Sequence, residues 1–132
     1  MARKLKVLVV DDDPTILDLV TTILRLARIE GATAVDGEAG LALAQVMRPD
    51  VVLLDIMMPR MDGYDVCRAL KAAPDAPKIV MITAKTSTED ELAALAAGAD
   101  DYVRKPFRPE DILRAIGLEV ASNEDSTSVD SA

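Results

Sequence analysis

Histidine is absent from the 132-residue chain. That absence excludes an imidazole general base, a histidine-bearing zinc site and a phosphohistidine formed on the chain itself. Cysteine occurs once, at Cys67, so neither an internal disulfide nor a multi-cysteine metal site can form. Cys67 is expected as a small buried hydrophobe on a helix. Only three residues are aromatic (Tyr64, Tyr102, Phe107), although half of the chain is apolar. The core must then be aliphatic, built from Val, Leu, Ile, Met and Ala. No stretch approaches the ~18 consecutive apolar residues of a membrane span. The basic start from Met1 to Lys6 leads into an apolar run that Asp11 cuts off too early for a signal peptide. A cytoplasmic chain with no membrane contact is expected. Positive charge is also short: the net charge of −8 argues against a direct grip on nucleic acid or anionic lipid and favours a cation or a basic partner.

What is present is an alternation of strands and helices on a chain about one domain long. Val7-Leu8-Val9-Val10 is a short apolar run ended by Asp11-Asp12-Asp13, as suits a strand buried on both faces of a parallel sheet. Pro14 fits the first position of a helix capped by Asp13. Ile16, Leu17, Val20, Ile23, Leu24 and Ala27 then recur at helical spacing, and Gly31 is expected to end that helix. A strand near Ala32 to Val35 and a helix from Gly37 to Met47 follow. Val51-Val52-Leu53-Leu54 ends in Asp55, and the turn-rich loop Met57 to Gly63 leads to a helix from about Tyr64 to Ala73. Ile79-Val80-Met81-Ile82 ends in Thr83. Thr88 and Glu91 have capping-box spacing before Leu92 to Ala97, with Gly98 as the stop. A strand around Tyr102-Val103 ends at Lys105, and Pro109 opens a last helix with Ile112, Leu113, Ile116 and Val120 inward. Five strand–helix pairs imply an α/β fold, a parallel sheet with helices on both faces. The domain is expected over residues 1–121, and residues 122–132 as a disordered polar tail or the start of a linker.

In such a sheet, ligands bind at the carboxyl ends of the strands, near the point where strand order reverses. Asp11, Asp12, Asp55, Thr83 and Lys105 stand at those ends. Each alone is an ordinary cap, turn or surface residue. Together, carboxylates gathered at one edge repel one another and favour raised pKa values or a bound cation. Oxygen ligands without His or Cys select a hard ion, and magnesium, which keeps waters and shares phosphate oxygens, suits the set. Lysine supplies a point charge for a phosphoryl oxygen and threonine a hydroxyl donor. The residue types read as a magnesium-dependent phosphoryl site with an aspartate nucleophile.

The same motifs resemble those of the receiver domains of bacterial two-component response regulators. They are Val9-Val10-Asp11-Asp12, Leu53-Leu54-Asp55 with Met58-Pro59 and Met61-Asp62-Gly63, Ile82-Thr83-Ala84, and Gly98-Ala99-Asp100-Asp101-Tyr102 leading to Lys105-Pro106-Phe107. They occur in order from about Lys6 to Ala121. The resemblance implies a flavodoxin-like, doubly wound five-stranded sheet of order 2-1-3-4-5. It makes Asp55 the phosphoacceptor and has Asp12, Asp55 and the Met57 backbone carbonyl hold Mg2+, with Asp11 acting through a metal-bound water. Lys105 would reach the phosphoryl group, and the Lys105-Pro106 bond would be cis. Thr83 would move to bond the phosphate and Tyr102 would turn inward behind it, with small Ala84 leaving room. The readout surface would be the fourth helix, fifth strand and fifth helix, about Thr88 to Ala97, Tyr102 to Lys105 and Pro109 to Ala121.

A histidine kinase or histidine phosphotransfer protein is the implied phosphodonor, and an unidentified target or output domain the implied recipient. On this reading the chain catalyses only its own phosphorylation and slow dephosphorylation and is not otherwise an enzyme. The Asp100-Asp101 pair resembles receivers of winged-helix DNA-binding regulators, which dimerise through arginines of the fourth and fifth helices. Glu91 and Ala115 stand at those places, so a mainly monomeric chain is expected, with dimers only on phosphorylation. Met57, two residues after the acceptor, cannot orient an attacking water, so slow hydrolysis is expected, with Lys85 shielding the phosphate or engaging the kinase. A phosphohydrolase resembling the haloacid-dehalogenase group would need an aspartate where Met57 stands. A degenerate receiver serving only for docking fits poorly with the complete Asp/Asp/Asp/Thr/Lys set. No room remains after Ala121 for a DNA-binding or cyclase domain, so a stand-alone receiver or a fragment of a longer regulator is expected.

Overall fold

The computed structural model describes residues 5–84 and 87–117. Its strands are β1 (Lys6–Val10), β2 (Glu30–Ala34), β3 (Val51–Asp55), β4 (Lys78–Thr83) and β5 (Asp101–Arg104). Between and after them run α1 (Pro14–Leu26), α2 (Gly37–Met47), α3 (Gly63–Lys71), α4 (Thr88–Ala96) and α5 (Pro109–Ala115). All strand pairs are parallel, in the order β2-β1-β3-β4-β5. The chain steps outward from β1 to β2 and then back across to β3, so the strand order reverses between β1 and β3.

The strands send alternate side chains to two separate cores, β2 to only one of them. Val7, Val9, Leu53, Val80 and Ile82 pack with Leu17, Val20, Ile23 and Leu24 of α1 and with Ile112 and Ala115 of α5. Leu8, Val10, Val52, Leu54, Ile79 and Met81 pack with Ala44 of α2, Val66, Cys67 and Leu70 of α3, and Ala94 of α4. Burying each Val or Leu stabilises by roughly 1.5–3 kcal/mol, so aliphatic residues alone can fill both layers. Cys67 is fully buried on α3, as expected, and burial pushes its thiol up to about 11. It stays protonated and unreactive at neutral pH.

Helix ends show where local chemistry set the chain path. Asp13 caps α1 by accepting from the Thr15 N–H at 2.9 Å. The expectation that Gly31 ends α1 is corrected: Gly31 lies within β2, opposite Val7. The helix ends instead through Arg28 in the left-handed region (φ 62). There the Arg28 N–H donates to Arg25 C=O and the Ile29 N–H to Leu24 C=O, both at 2.9 Å. This is the paired closure usually built on glycine. Gly31 packs closely on α1: a Cβ there would lie 2.9 Å from Leu24 Cδ1, so that side chain would have to shift.

The cap of α4 also differs from expectation. Ser87, one residue before Thr88, accepts from the Asp90 N–H at 3.1 Å and donates to Asp90 Oδ2 at 2.7 Å. Glu91 turns away to pair with Arg104 of β5. Ser87→Ala should therefore cost about 1 kcal/mol, and Thr88→Ala no more than about 0.5 kcal/mol, as read from urea unfolding midpoints. Gly98 stops α4 as expected, with φ 106. The observed bounds of β2, α3 and α4 differ by one to a few residues from those expected, and the last helix is corrected: α5 ends at Ala115, with Ile116 as its cap and Gly117 turning the chain out of the helix at φ 100. Val120, with the rest of 118–121, and the segment 122–132 lie outside the described residues.

Candidate functional site

Five of the singled-out residues meet at the carboxyl edge of the sheet. Asp11 and Asp12 follow β1, Asp55 ends β3, Thr83 ends β4 and Lys105 follows β5. One carboxylate oxygen from each of Asp11, Asp12 and Asp55 lies within 4.8 Å of the others. Asp11, Asp55 and Thr83 are buried, at 2%, 6% and 0% exposure, while Asp12 is exposed. The pocket therefore has a buried floor and one acidic residue at its mouth.

Lys105 closes one side. Its Nζ donates to Asp11 Oδ2 at 3.1 Å and lies 3.7 Å from Asp55 Oδ2. Its backbone N–H donates to Thr83 C=O at 2.8 Å, which ties the end of β5 to the end of β4. The Lys105-Pro106 peptide bond is cis. The Asp13 N–H donates to Asp11 Oδ1 at 2.9 Å, and the Met57 N–H to Asp55 Oδ1 at 3.4 Å.

One lysine does not balance the carboxylates around it. Burial, reinforced by the charge on Asp11, pushes the Asp55 carboxyl up to about 6, against the pull of Lys105 and the Met57 N–H. Asp12 adds a smaller push upward. Such an excess of buried negative charge is relieved by a hard cation. The donor set fits Mg2+: it is all oxygen, part of it open to water, and no thiolate or imidazole competes.

The loop between β3 and α3, read from the sequence as a turn and as part of the family motif, also contributes a packing feature. Gly63 donates its N–H to Ile56 C=O at 2.9 Å. A Cβ at Gly63 would lie 2.3 Å from the Asp55 carbonyl oxygen and 2.7 Å from Ile56 Cα. The backbone of the acidic residue thus rests directly on the first residue of α3. A glycine just after the helix cap Asp62 was the available signal.

Tyr102 on β5 is partly buried against the core beneath α2, α3 and α4. Burial raises its hydroxyl pKa, with the charges of Asp90 and Glu91 and the Tyr64 hydroxyl adding to the shift. Beside it runs a groove of about 520 Å³ lined by Glu91, Arg104, Pro106, Asp111 and Arg114 among others. Where arginine was expected, Glu91 pairs with Arg104 within the chain, and Ala115 is buried. Lys85 lies outside the described residues.

The family model described as the response regulator receiver domain matches residues 7–117. The chain belongs to the response regulator receiver domain family. This receiver is 46% identical over 120 residues to the DNA-binding response regulator MtrA of Mycolicibacterium smegmatis, covering 91% of the receiver and 52% of that protein. Among solved structures, it superposes on the chemotaxis protein CheY4 of Vibrio cholerae with a TM-score of 0.82 at 37% identity, covering 86% and 97% of the two chains. It also superposes on DrrB, a Thermotoga maritima OmpR/PhoB homologue, with a TM-score of 0.76 at 37% identity, covering 85% of the receiver and 50% of DrrB. The receiver spans about half the length of the curated relatives it matches. Receiver domains belong to two-component systems, work with histidine kinases and bind Mg2+ at an acidic pocket. Among the described residues, no helix is long and apolar enough to cross a membrane.

Proposed function

We propose that this receiver takes a phosphoryl group from a phosphohistidine on a kinase or phosphotransfer protein and holds it on Asp55. The observation that carries this reading is the Lys105 ammonium set between Asp11 at 3.1 Å and Asp55 at 3.7 Å, in a pocket shared by three carboxylates. A carboxylate oxygen of Asp55 attacks phosphorus while the phosphorus–nitrogen bond to the donor imidazole breaks, and the imidazole leaves carrying a proton. Asp12, Asp55 and the Met57 carbonyl would hold Mg2+, with Asp11 reaching it through water. When bound, the ion neutralises charge on the transferring phosphoryl oxygens.

The chain's own residues do the rest. Lys105 is near enough to exchange its Asp55 contact for a phosphoryl oxygen. Thr83 offers a hydroxyl to another oxygen, and its movement lets Tyr102 turn inward. The added charge of roughly −1.5 to −2 is thereby read out at α4, β5 and α5, where a target or an output domain binds. The chain is not an enzyme toward a foreign substrate, acts in the cytoplasm and does not itself bind nucleic acid. It is mainly monomeric and dimerises only on phosphorylation.

The test uses acetyl phosphate with Mg2+ and intact-mass measurement. Gain of one phosphoryl group is expected, absent in Asp55→Asn and after chelation. Continuous hydrolysis of p-nitrophenyl phosphate dependent on Asp55 would instead favour a phosphohydrolase. A second expectation concerns lifetime. Met57 is 58% exposed beside the acceptor and its thioether offers an attacking water only a weak acceptor. Met57→Asn should shorten the aspartyl phosphate half-life several-fold, and an unchanged decay rate would remove Met57 from that role.

A further inference from the structure

The corner between β2 and α2 places no side chain in the acidic pocket, yet it touches both of the pocket's walls. On one side, the Ala34 carbonyl accepts the Asp11 N–H at 3.1 Å. On the other, two residues further on, Asp36 Oδ1 caps α2 through the Ala39 N–H at 2.8 Å while Oδ2 faces Arg60 Nη2 at 3.6 Å. Arg60 lies at the tip of the loop that carries Met57. The next residue, Gly37, is pressed against that same loop, since a Cβ there would lie 3.2 Å from Met61 Cβ and 3.2 Å from the Met61 carbonyl oxygen.

Arg60 itself is held in an unfavourable conformation. Its φ is 70, and the Met61 N–H donates to Pro59 C=O at 2.8 Å, closing a tight turn around it. A positive-φ turn of this size is rare and strained for a residue with a side chain, and it persists only where its surroundings hold it. The holding contacts here are Met58, buried in the core, Met61 against Gly37, and the Arg60 guanidinium on Asp36.

We propose that Asp36 and Arg60 are positioning residues for the pocket. Their ion pair braces the loop after β3 against the corner that also holds Asp11, and so sets the spacing between the Asp11–Asp12 wall and the Met57 carbonyl. This rests on the magnesium reading above and adds to it a pair of residues that never touch the ion. The side chain of Asp36 is 24% exposed and that of Arg60 77%, so neither is a core residue. Removing the pair leaves the fold intact and changes the geometry of the loop.

The experiment titrates the metal-free full chain with Mg2+ and follows backbone amide resonances. Asp36→Asn keeps the helix cap and loses the charge; Arg60→Gln keeps length and loses the charge. Each should weaken Mg2+ binding about three-fold, the scale of a single exposed ion pair. The double variant should be no weaker than either single one, and Arg60→Lys should restore most of the affinity. Melting temperatures without Mg2+ should be unchanged. Wild-type affinity in both single variants, or losses that add in the double variant, would overturn the brace. Asp12→Ala separates the two readings. If the wild type itself shows no Mg2+ response that Asp12→Ala removes, the magnesium reading falls and the brace with it; a normal wild-type response beside unaltered Asp36 and Arg60 variants overturns the brace alone.

Discussion

Asp55→Asn should make the metal-free receiver more stable at pH 7, by on the order of 2 to 3 kcal/mol. The folded state holds the Asp55 carboxyl near pKa 6, above the value of 3.8 for a free aspartate. A group raised in this way favours the folded state fully below its unfolded pKa, and the contribution is lost as pH rises through the folded pKa. At pH 7 the native state therefore carries a buried charge that the unfolded chain solvates without cost. Asparagine keeps the shape and removes the charge, and Lys105 keeps its bond to Asp11. The gain should shrink to about 0.5 kcal/mol near pH 4 and vanish only near pH 3, below the unfolded value of 3.8, where the wild-type carboxyl is neutral in both states. Mg2+ should stabilise the wild type by mass action and close the gap at neutral pH. Urea unfolding at pH 3, pH 4 and pH 7, with Mg2+ and with chelator, checks all of this; a variant no more stable than wild type at pH 7 would mean that the pocket does not strain the fold.

Gly63→Ala should be the most damaging single-methyl substitution at the site. The added Cβ would lie 2.3 Å from the Asp55 carbonyl oxygen, and the atoms it meets are backbone, which cannot swing aside. Overpacking of this kind costs about 1–3 kcal/mol and occasionally more, and the upper end applies here. Relief requires α3 to back away or the end of β3 to shift. The second route moves Asp55 itself, so phosphorylation by acetyl phosphate should fall together with stability. A Gly63→Ala chain that unfolds at the wild-type urea midpoint would contradict this packing.

The architecture and the acidic pocket were legible because they depend on short-range features. Runs such as Val7 to Val10 and Val51 to Leu54 admit little besides a doubly buried strand, and each ends in the aspartate that the fold then uses. The chain path at helix ends was less legible. Ser87 and Thr88 each have an acidic residue three positions later, so spacing alone could not choose between them. The choice depends on Arg104, which draws Glu91 away across the groove. Arg28 ends α1 in a conformation that sequence reasoning reserves for glycine, because the bond from Ile29 to Leu24 and the burial of both side chains hold it there. Contacts between distant segments were invisible for the same reason. Asp36 finds Arg60 only after α2 has packed. Lys71 reaches Asp100, just before β5, at 2.6 Å only once α3 has packed on the sheet. Burial alone would raise the Asp100 carboxyl; Lys71 and the Ile79 N–H outweigh it and hold that pKa below the ordinary value.

The alternation of side chains along the strands divides the machinery between two compartments. Counting from Val7 and Val9, Asp11 falls on the α1 and α5 side of the sheet, as does Asp55 counting from Val51 and Leu53. Thr83 follows Ile79 and Met81 onto the opposite side, which Tyr102 shares. The sheet between them is a wall of paired backbone that no side chain crosses. The two sides come together at the open rim, where the end of β4 is bonded to Lys105. The acidic and the aromatic compartments thus lie on opposite faces of one sheet and meet at a single shared rim.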